Sequence, residues 1–280
     1  MSYLSADGEE GYPGAVLCTI KFQLKVDNKL EICIRATTSK PTIVNISHGS
    51  MFNLAGHDAG ETELKKHNIL LNCDRWTFAD YTDPVPTGAI RGVGGTVMDF
   101  RIPRVLGEYM EKVPPGEGYD HNFCVTRNWQ SGKLFVAKAW HVKSGRALEI
   151  YSDQPGIQFY TGGRLVPQKD SESSSYESWS QGEEGREGAE DNSSSNVEEA
   201  MERMESSTSS KDYLKDFKSL EYIPGKSGAQ YKKNSAFSIQ PQNYPNAINY
   251  SHFPWSILYP GQVYTHDLLY KFGVQLANYM

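Results

Sequence analysis

VLCTIKFQLKV, residues 16–26, is the stretch that decides the fold. Val16, Cys18, Ile20, Phe22, Leu24 and Val26 are apolar, and most of the residues between them are polar. Apolar side chains that recur every second residue lie on one side of an extended chain, so this is a strand with one buried face. Asp27 and Asn28 follow, and both residue types tolerate the backbone angles of a tight turn. Leu30, Ile32, Ile34 and Ala36 then resume the alternation. The chain opens on a β-hairpin.

Working outward, strand-like runs recur at 42–46, 67–73, 134–142, 147–152, 234–240 and 263–274. Pro and Gly punctuate the gaps, as at Pro84, Pro86, Gly92 to Gly95, Pro114-Pro115-Gly116 and Pro155-Gly156. The one helical pattern in this part of the chain is short, at roughly 104–112. Many strands joined by turns predict an all-β sandwich or barrel. Seventeen Tyr and eleven Phe fit that class, because aromatic residues favour strands.

Residues 170–212 break the pattern. They hold thirteen acidic and three basic residues, are rich in Ser and Gly, and carry almost no β-branched residues. Such a segment cannot bury enough apolar surface to offset its ordering entropy, and it reads as a disordered acidic insert. The expected domain is therefore built from 1–169 and 213–280. Without the insert, the remaining charges leave a small basic surplus, which is no nucleic-acid footprint. Cys18, Cys33, Cys73 and Cys124 form no C-x-x-C pair and no zinc spacing with His, so they are expected as small buried hydrophobes in a reducing compartment. The N-terminal residues MSYLSADGEEGYPG lack a signal peptide's basic and apolar regions, and no run reaches a membrane span. A cytoplasmic protein with no membrane association is the expectation.

Several runs resemble the galactose mutarotase (aldose 1-epimerase) family, in the family's order. They are DGEEGYPG (7–14), MFNLAG (51–56), GYDHNFCV (118–125), LEIYSDQPGIQFYTGG (148–163), FSIQPQNYPNAIN (237–249) and FPWSILYPGQVYTHDLLYKF (253–272). The resemblance implies a mutarotase-like β-sandwich, a supersandwich. It also implies one incomplete at its N-terminus, because the first of these runs lies well inside the family's domain. Such a sandwich should expose apolar faces and unpaired edges, which a partner could cover. The acidic insert falls where the family has a surface loop, and loops tolerate insertion at little entropic cost.

The family exchanges the α and β anomers of an aldose without metal or organic cofactor. A Glu removes the proton of the anomeric hydroxyl while a His protonates the ring oxygen, so both a proton acceptor and a donor are needed near neutral pH. By resemblance, Gln240 stands at the place of the Glu, and a carboxamide has no usable basicity. Gly49 stands at the place of the His, with His48 one residue before it. A shift of one residue sends a strand side chain to the opposite face, unless a bulge at Gly49 swings His48 back as a displaced acid. Asp120 matches the Asp of the DHNF segment and Gln158 the Gln of the QFYTG segment, both sugar-binding in the family; a turn Asp and a cross-strand hydrogen bond are their structural alternatives.

The other candidates read as structural. His121 belongs to the same segment as Asp120 and is expected to be structural. Trp76, Trp129, Trp140 and Trp255 are expected in packing. His57 and His67 beside Asp58, Glu61 and Glu63 are expected as solvated loop residues, with no metal site. The expected partner is a hexose of the galactose or glucose class. Two further roles stay open: carbohydrate binding without turnover, and interaction with a protein through the acidic loop or an exposed edge.

Overall fold

The computed structural model describes residues 1–80, 85–127, 132–166 and 221–275, so the insert at 170–212 and Trp129 lie outside the described residues. The chain folds into strands β1 (Ser2–Ser5), β2 (Val16–Lys25), β3 (Lys29–Thr38), β4 (Thr42–Ile43), β5 (His67–Leu71), β6 (Cys73–Ala79), β7 (Pro86–Gly92) and β8 (Arg104–Val105). It continues with β9 (Asp120–Val125), β10 (Leu134–His141), β11 (Arg146–Ser152), β12 (Gly156–Tyr160), β13 (Ile223–Pro224), β14 (Gln230–Tyr231), β15 (Ser238–Gln242), β16 (Ile257–Leu258) and β17 (Tyr264–Val274). Eight strands form a large antiparallel sheet in the order β1-β2-β3-β17-β11-β10-β5-β8. Five form a second sheet in the order β15-β12-β9-β6-β7.

The opening hairpin pairs β2 with β3 from Val16↔Thr38 to Lys25↔Lys29. Asp27 and Asn28 both have positive φ, the backbone a two-residue type I′ turn requires. Ile32, Ile34 and Ala36 are buried, and Phe22 and Ile20 share their face through the cross-strand pairs Phe22↔Ile32 and Ile20↔Ile34. The inner faces of the two sheets meet in one core. The large sheet contributes Ile69, Leu71, Leu148, Ile150 and Tyr270, and the smaller sheet Phe123, Ile157, Phe159 and Ile239. Burial thins out at the hairpin's end, where Leu24 and Val26 are each 81% exposed.

On the outer face of the large sheet, charged side chains alternate. Glu31 lies 2.7 Å from Lys133 and 2.5 Å from Lys25. Hydrogen bonds from Lys133 and then Lys25 hold its carboxyl down to about 2. A carboxyl depressed in the folded state adds stability that is complete above its unfolded range and lost as pH falls through the folded value. Unfolding free energy should therefore drop between roughly pH 4.5 and 2 by a share due to Glu31. Both lysines are partly solvated, so that share is about 1 kcal/mol after screening. Glu31→Gln should remove it, as read from urea midpoints at pH 7 and pH 3.

Three local expectations are corrected. Residues 104–112 form no α-helix: β8 is followed by two 3-10 turns, Leu106–Glu108 and Met110–Lys112. Tertiary packing sets that path, because Leu106 and Met110 are buried and the Gly107 N–H donates to the Lys65 carbonyl at 2.8 Å. The one α-helix among the described residues, α1 (Gly60–Leu64), is a five-residue turn too short to show a period. Cys73 and Cys124 are buried, but Cys18 and Cys33 are only partly so. Cys18 lies on β2 opposite Ala36 and packs against the edge of the core, and Cys33 faces outward beside Asp267.

Candidate functional site

The outer face of the five-stranded sheet carries the polar residues of three adjacent strands. Its inner positions, Phe123, Ile157, Phe159 and Ile239, are in the core, so alternation turns the residues between them outward. Gln240 on β15 pairs with Gln158 on β12, and Gln158 pairs with Asn122 on β9. Asn122 Nδ2 in turn donates to Thr77 Oγ1 on β6 at 3.2 Å. Asp120 lies two residues from Asn122 on the same face and pairs with Tyr160.

An irregular segment, residues 45–53, runs along the free side of β15. Phe52 and Phe237 exchange both backbone hydrogen bonds, at 2.7 and 2.9 Å. Farther along, Ser47 Oγ donates to the Pro241 carbonyl at 3.0 Å. The Asn45 side chain clamps the backbone of Asn243, accepting from its N–H at 2.9 Å and donating to its carbonyl at 3.1 Å. Counting three residues from the Phe52–Phe237 bridge along each chain sets Gly49 opposite Gln240. A Cβ at Gly49 would lie 3.4 Å from Gln240 Cδ and Nε2, so a side chain there would emerge against the Gln240 carboxamide.

His48 goes the other way. Its ring packs 5.7 Å from Phe22 and 5.9 Å from Tyr270, and Nδ1 is 3.4 Å from the Tyr270 hydroxyl. Desolvation, then the nearby His266, lowers its pKa and favours the neutral ring. No bulge carries His48 to the outer face. Gly49, Gln240, Gln158, Asn122 and Asp120 are brought together, and His48 is not among them.

Gln158 Nε2 donates to Asp120 Oδ1 at 2.8 Å, and because a carboxylate only accepts, this sets the orientation of the Gln158 amide. Gln158 Oε1 is then left buried and unpartnered, as are Asn122 Oδ1 and Ser238 Oγ on the same face. Buried polar atoms without a partner are rare in folded proteins, and here three of them gather on one face. None of Gly49, Gln240, Gln158 and Asn122 can exchange a proton near pH 7.

His121 points inward, edge-on to Trp76 at 5.5 Å. Its Nδ1 accepts the Asp120 N–H at 3.1 Å, and burial holds the imidazole down to about 4. His67 is held down to about 4 as well, chiefly by burial. Its Nε2 accepts the Leu54 N–H at 2.9 Å, and its Nδ1 donates to the Leu64 carbonyl at 2.9 Å. His67 is thus buried and fully bonded, not the solvated loop residue expected. Histidines depressed in the fold take up protons first in the unfolded chain. Stability should therefore be complete above about pH 6.5 and fall as pH drops toward 4. A thermal midpoint that stayed level from pH 7 to 4 would contradict this.

His57 Nδ1 contacts the Tyr231 hydroxyl at 3.0 Å. Among the described residues no group of three or more His, Cys, Asp or Glu could hold a metal ion, and no helix is long and apolar enough to cross a membrane. Trp76 is buried, Trp140 partly so, and Trp255 is 70% exposed.

Strand order and register of this kind define a mutarotase-like β-sandwich with a polar outer row. The sequence model of the aldose 1-epimerase family matches residues 1–271, and the chain belongs to that family. It is 34% identical to the galactose mutarotase of Sus scrofa over 273 residues, which are 98% of this chain and 62% of that protein. The galactose mutarotase of Homo sapiens is 32% identical over the same span. The chain thus spans 62% of the length of these relatives. A crystal structure of a GalM/aldose epimerase homologue from C. elegans superposes with a TM-score of 0.69 at 24% identity, covering 98% of this chain and 65% of that one. Galactose 1-epimerase from Lactobacillus acidophilus superposes with a TM-score of 0.65 at 16% identity, covering 98% of this chain and 62% of that one. These two likenesses concern the fold.

Proposed function

We propose that this protein binds a hexose of the galactose or glucose class on the outer face of the five-stranded sheet and interconverts its anomers weakly or not at all. The observation that carries the reading is Gly49 opposite Gln240, at the two places where the family's acid and base would stand. Gln240 can hold the anomeric hydroxyl by hydrogen bonding but cannot take its proton, and Gly49 offers no donor side chain. Loss of one positioned general base typically costs ~10²–10⁴ in rate. The binding side keeps the exposed Asp120 carboxylate and the partly exposed Gln158 amide bonded to it.

Polarimetry of freshly dissolved α-galactose and α-glucose at neutral pH tests the catalytic half. The mutarotation rate with purified protein should match buffer; a rate like that of an ordinary family enzyme would reject the reading. Calorimetry tests the binding half. Weak hexose binding is expected, and it should vanish in Asp120→Ala, which removes the row's one carboxylate. Absence of hexose binding in the wild type would leave the sandwich without its proposed ligand.

A further inference from the structure

The large sheet ends at β1, and β1 covers only part of β2. It pairs with β2 from Ser2↔Thr19 to Ser5↔Val16, and beyond Ser2 the last bonds run between Met1 and Ile20, at 2.9 and 2.8 Å. Ile20 therefore turns both its N–H and its carbonyl toward the sheet edge, and by alternation Phe22 and Leu24 do the same. Among the described residues nothing pairs with them there, because β3 lies on the other side of β2. The same stretch carries the most exposed part of the inner apolar face: Phe22 is 42% exposed, and Leu24 and Val26 are each 81% exposed. We infer that this edge is where two copies of the chain associate, by antiparallel pairing of β2 with β2 across a two-fold axis.

An open backbone edge and an apolar strip on the same residues call for a strand, since a strand meets both needs at once. A second β2 brings the same two needs, so a single pairing satisfies both copies, as an isologous contact does. Hydrogen-bonding positions must oppose one another, which leaves registers that differ by two residues. With the axis on Leu24, Leu24 faces Leu24 of the second copy, Phe22 faces Val26 and Gln23 faces Lys25. The apolar side chains then join in one cross-strand row on the inner face, and no like charges are opposed on the outer face. Lys25 keeps Glu31 of its own copy, 2.5 Å away. With the axis on Gln23 instead, Lys21 would face Lys25 and repel it. Residues 22–26 of the second copy fill the lane that β1 leaves open beyond Met1.

Covering Phe22, Leu24, Val26 and the open backbone of both copies removes on the order of 1,000 Å² from water, the low end for a specific interface. Association costs translational and rotational freedom, so a contact of this size gives a Kd on the order of micromolar. A two-fold axis perpendicular to the sheet keeps the inner faces of both copies on one side, so the two large sheets become one continuous sheet. Pairing closes the open edge of each copy, and the association therefore stops at two. The polar row lies on the other sheet, and the dimer does not depend on the hexose reading.

Sedimentation equilibrium of the full chain between about 1 and 300 µM reads the association, and a monomer–dimer equilibrium is expected within that range. Leu24→Lys brings two ammonium groups together on the axis and should weaken the dimer more than about tenfold. Leu24 is largely exposed in the single copy, so the urea midpoint should hold. Gln23→Lys sets a lysine against Lys25 of the second copy while placing it beside Glu31 of its own. It should weaken the dimer several-fold at low salt, and the loss should shrink as salt is added, a response that apolar contact alone would not give. Amide hydrogen exchange at Phe22 and Leu24 should slow as the dimer fills. A chain that stays monomeric at the highest concentration would overturn the proposal, whether or not its edge takes up a strand from a different polypeptide. So would a dimer whose Phe22 and Leu24 amides exchange as fast as in the monomer, or one indifferent to both substitutions.

Discussion

Gln240→Glu combined with Gly49→His should raise the mutarotation rate by at least ~10²–10⁴ over wild type, because it restores a base and an acid together. Polarimetry on α-galactose reads the change directly. The structure accommodates both changes. Glu is nearly the shape of Gln, and Gln240 is on a well-formed strand with Gln158 beside it. Gly49 has no left-handed backbone that would strain an L side chain, since it is absent from the positive-φ glycines. The three atoms nearest a Cβ there all belong to the far end of the flexible Gln240 side chain, at 3.4 to 3.5 Å. Each single substitution should recover much less than the pair, since ring opening needs proton removal and proton delivery in one transition state. A double variant that binds hexose but stays at the buffer rate would show that further catalytic groups are missing.

Phe159→Ala should cost about 3–5 kcal/mol of unfolding free energy, the largest stability loss expected of any single truncation considered. Phe159 is fully buried on β12. It stacks on Tyr119 at 5.1 Å and meets Phe100 at 5.6 Å and Phe123 at 6.3 Å. Three aromatic neighbours cannot all collapse into the space left, so the cavity persists and its cost adds to the lost burial. Urea titration followed by far-UV circular dichroism measures the loss; a change below ~1 kcal/mol would mean that the inner face of this sheet is loosely packed. Phe159 also lies between Gln158 and Tyr160, so the same core contact holds two outward residues of the row in place.

The hairpin strands β2 and β3 and their neighbour β17 are legible because their alternation is strong; β1, which pairs with β2, is four residues long and carries no such pattern. In β6 and β7 the alternation fails for physical reasons. β6 carries a register shift between Cys73 and Arg75, which throws Asp74 out of phase, and β7 includes Pro86 and Gly88. Gly88, at φ 88°, lies beneath Tyr250, where any Cβ would come within 2.5 Å of the ring. Residues 104–112 looked helical because local propensity cannot see Lys65, whose carbonyl takes the Gly107 N–H. Gly49, Gln240, Gln158 and Asp120 follow from family resemblance, and nothing in their own periodicity singles them out; Asn122 joins the row only through its pairing with Gln158.

From sequence alone came the β class of the chain, its opening hairpin, the family and the amide at position 240, since these depend on residue type and local order. Which way residues 48 and 49 face belonged to the tertiary structure. Segment 45–53 has no period of its own, and its orientation is imposed by the Phe52–Phe237 bridge and the Asn45 clamp on Asn243. Side-chain alternation says which residues share a face, but only pairing with another strand says what that face looks at.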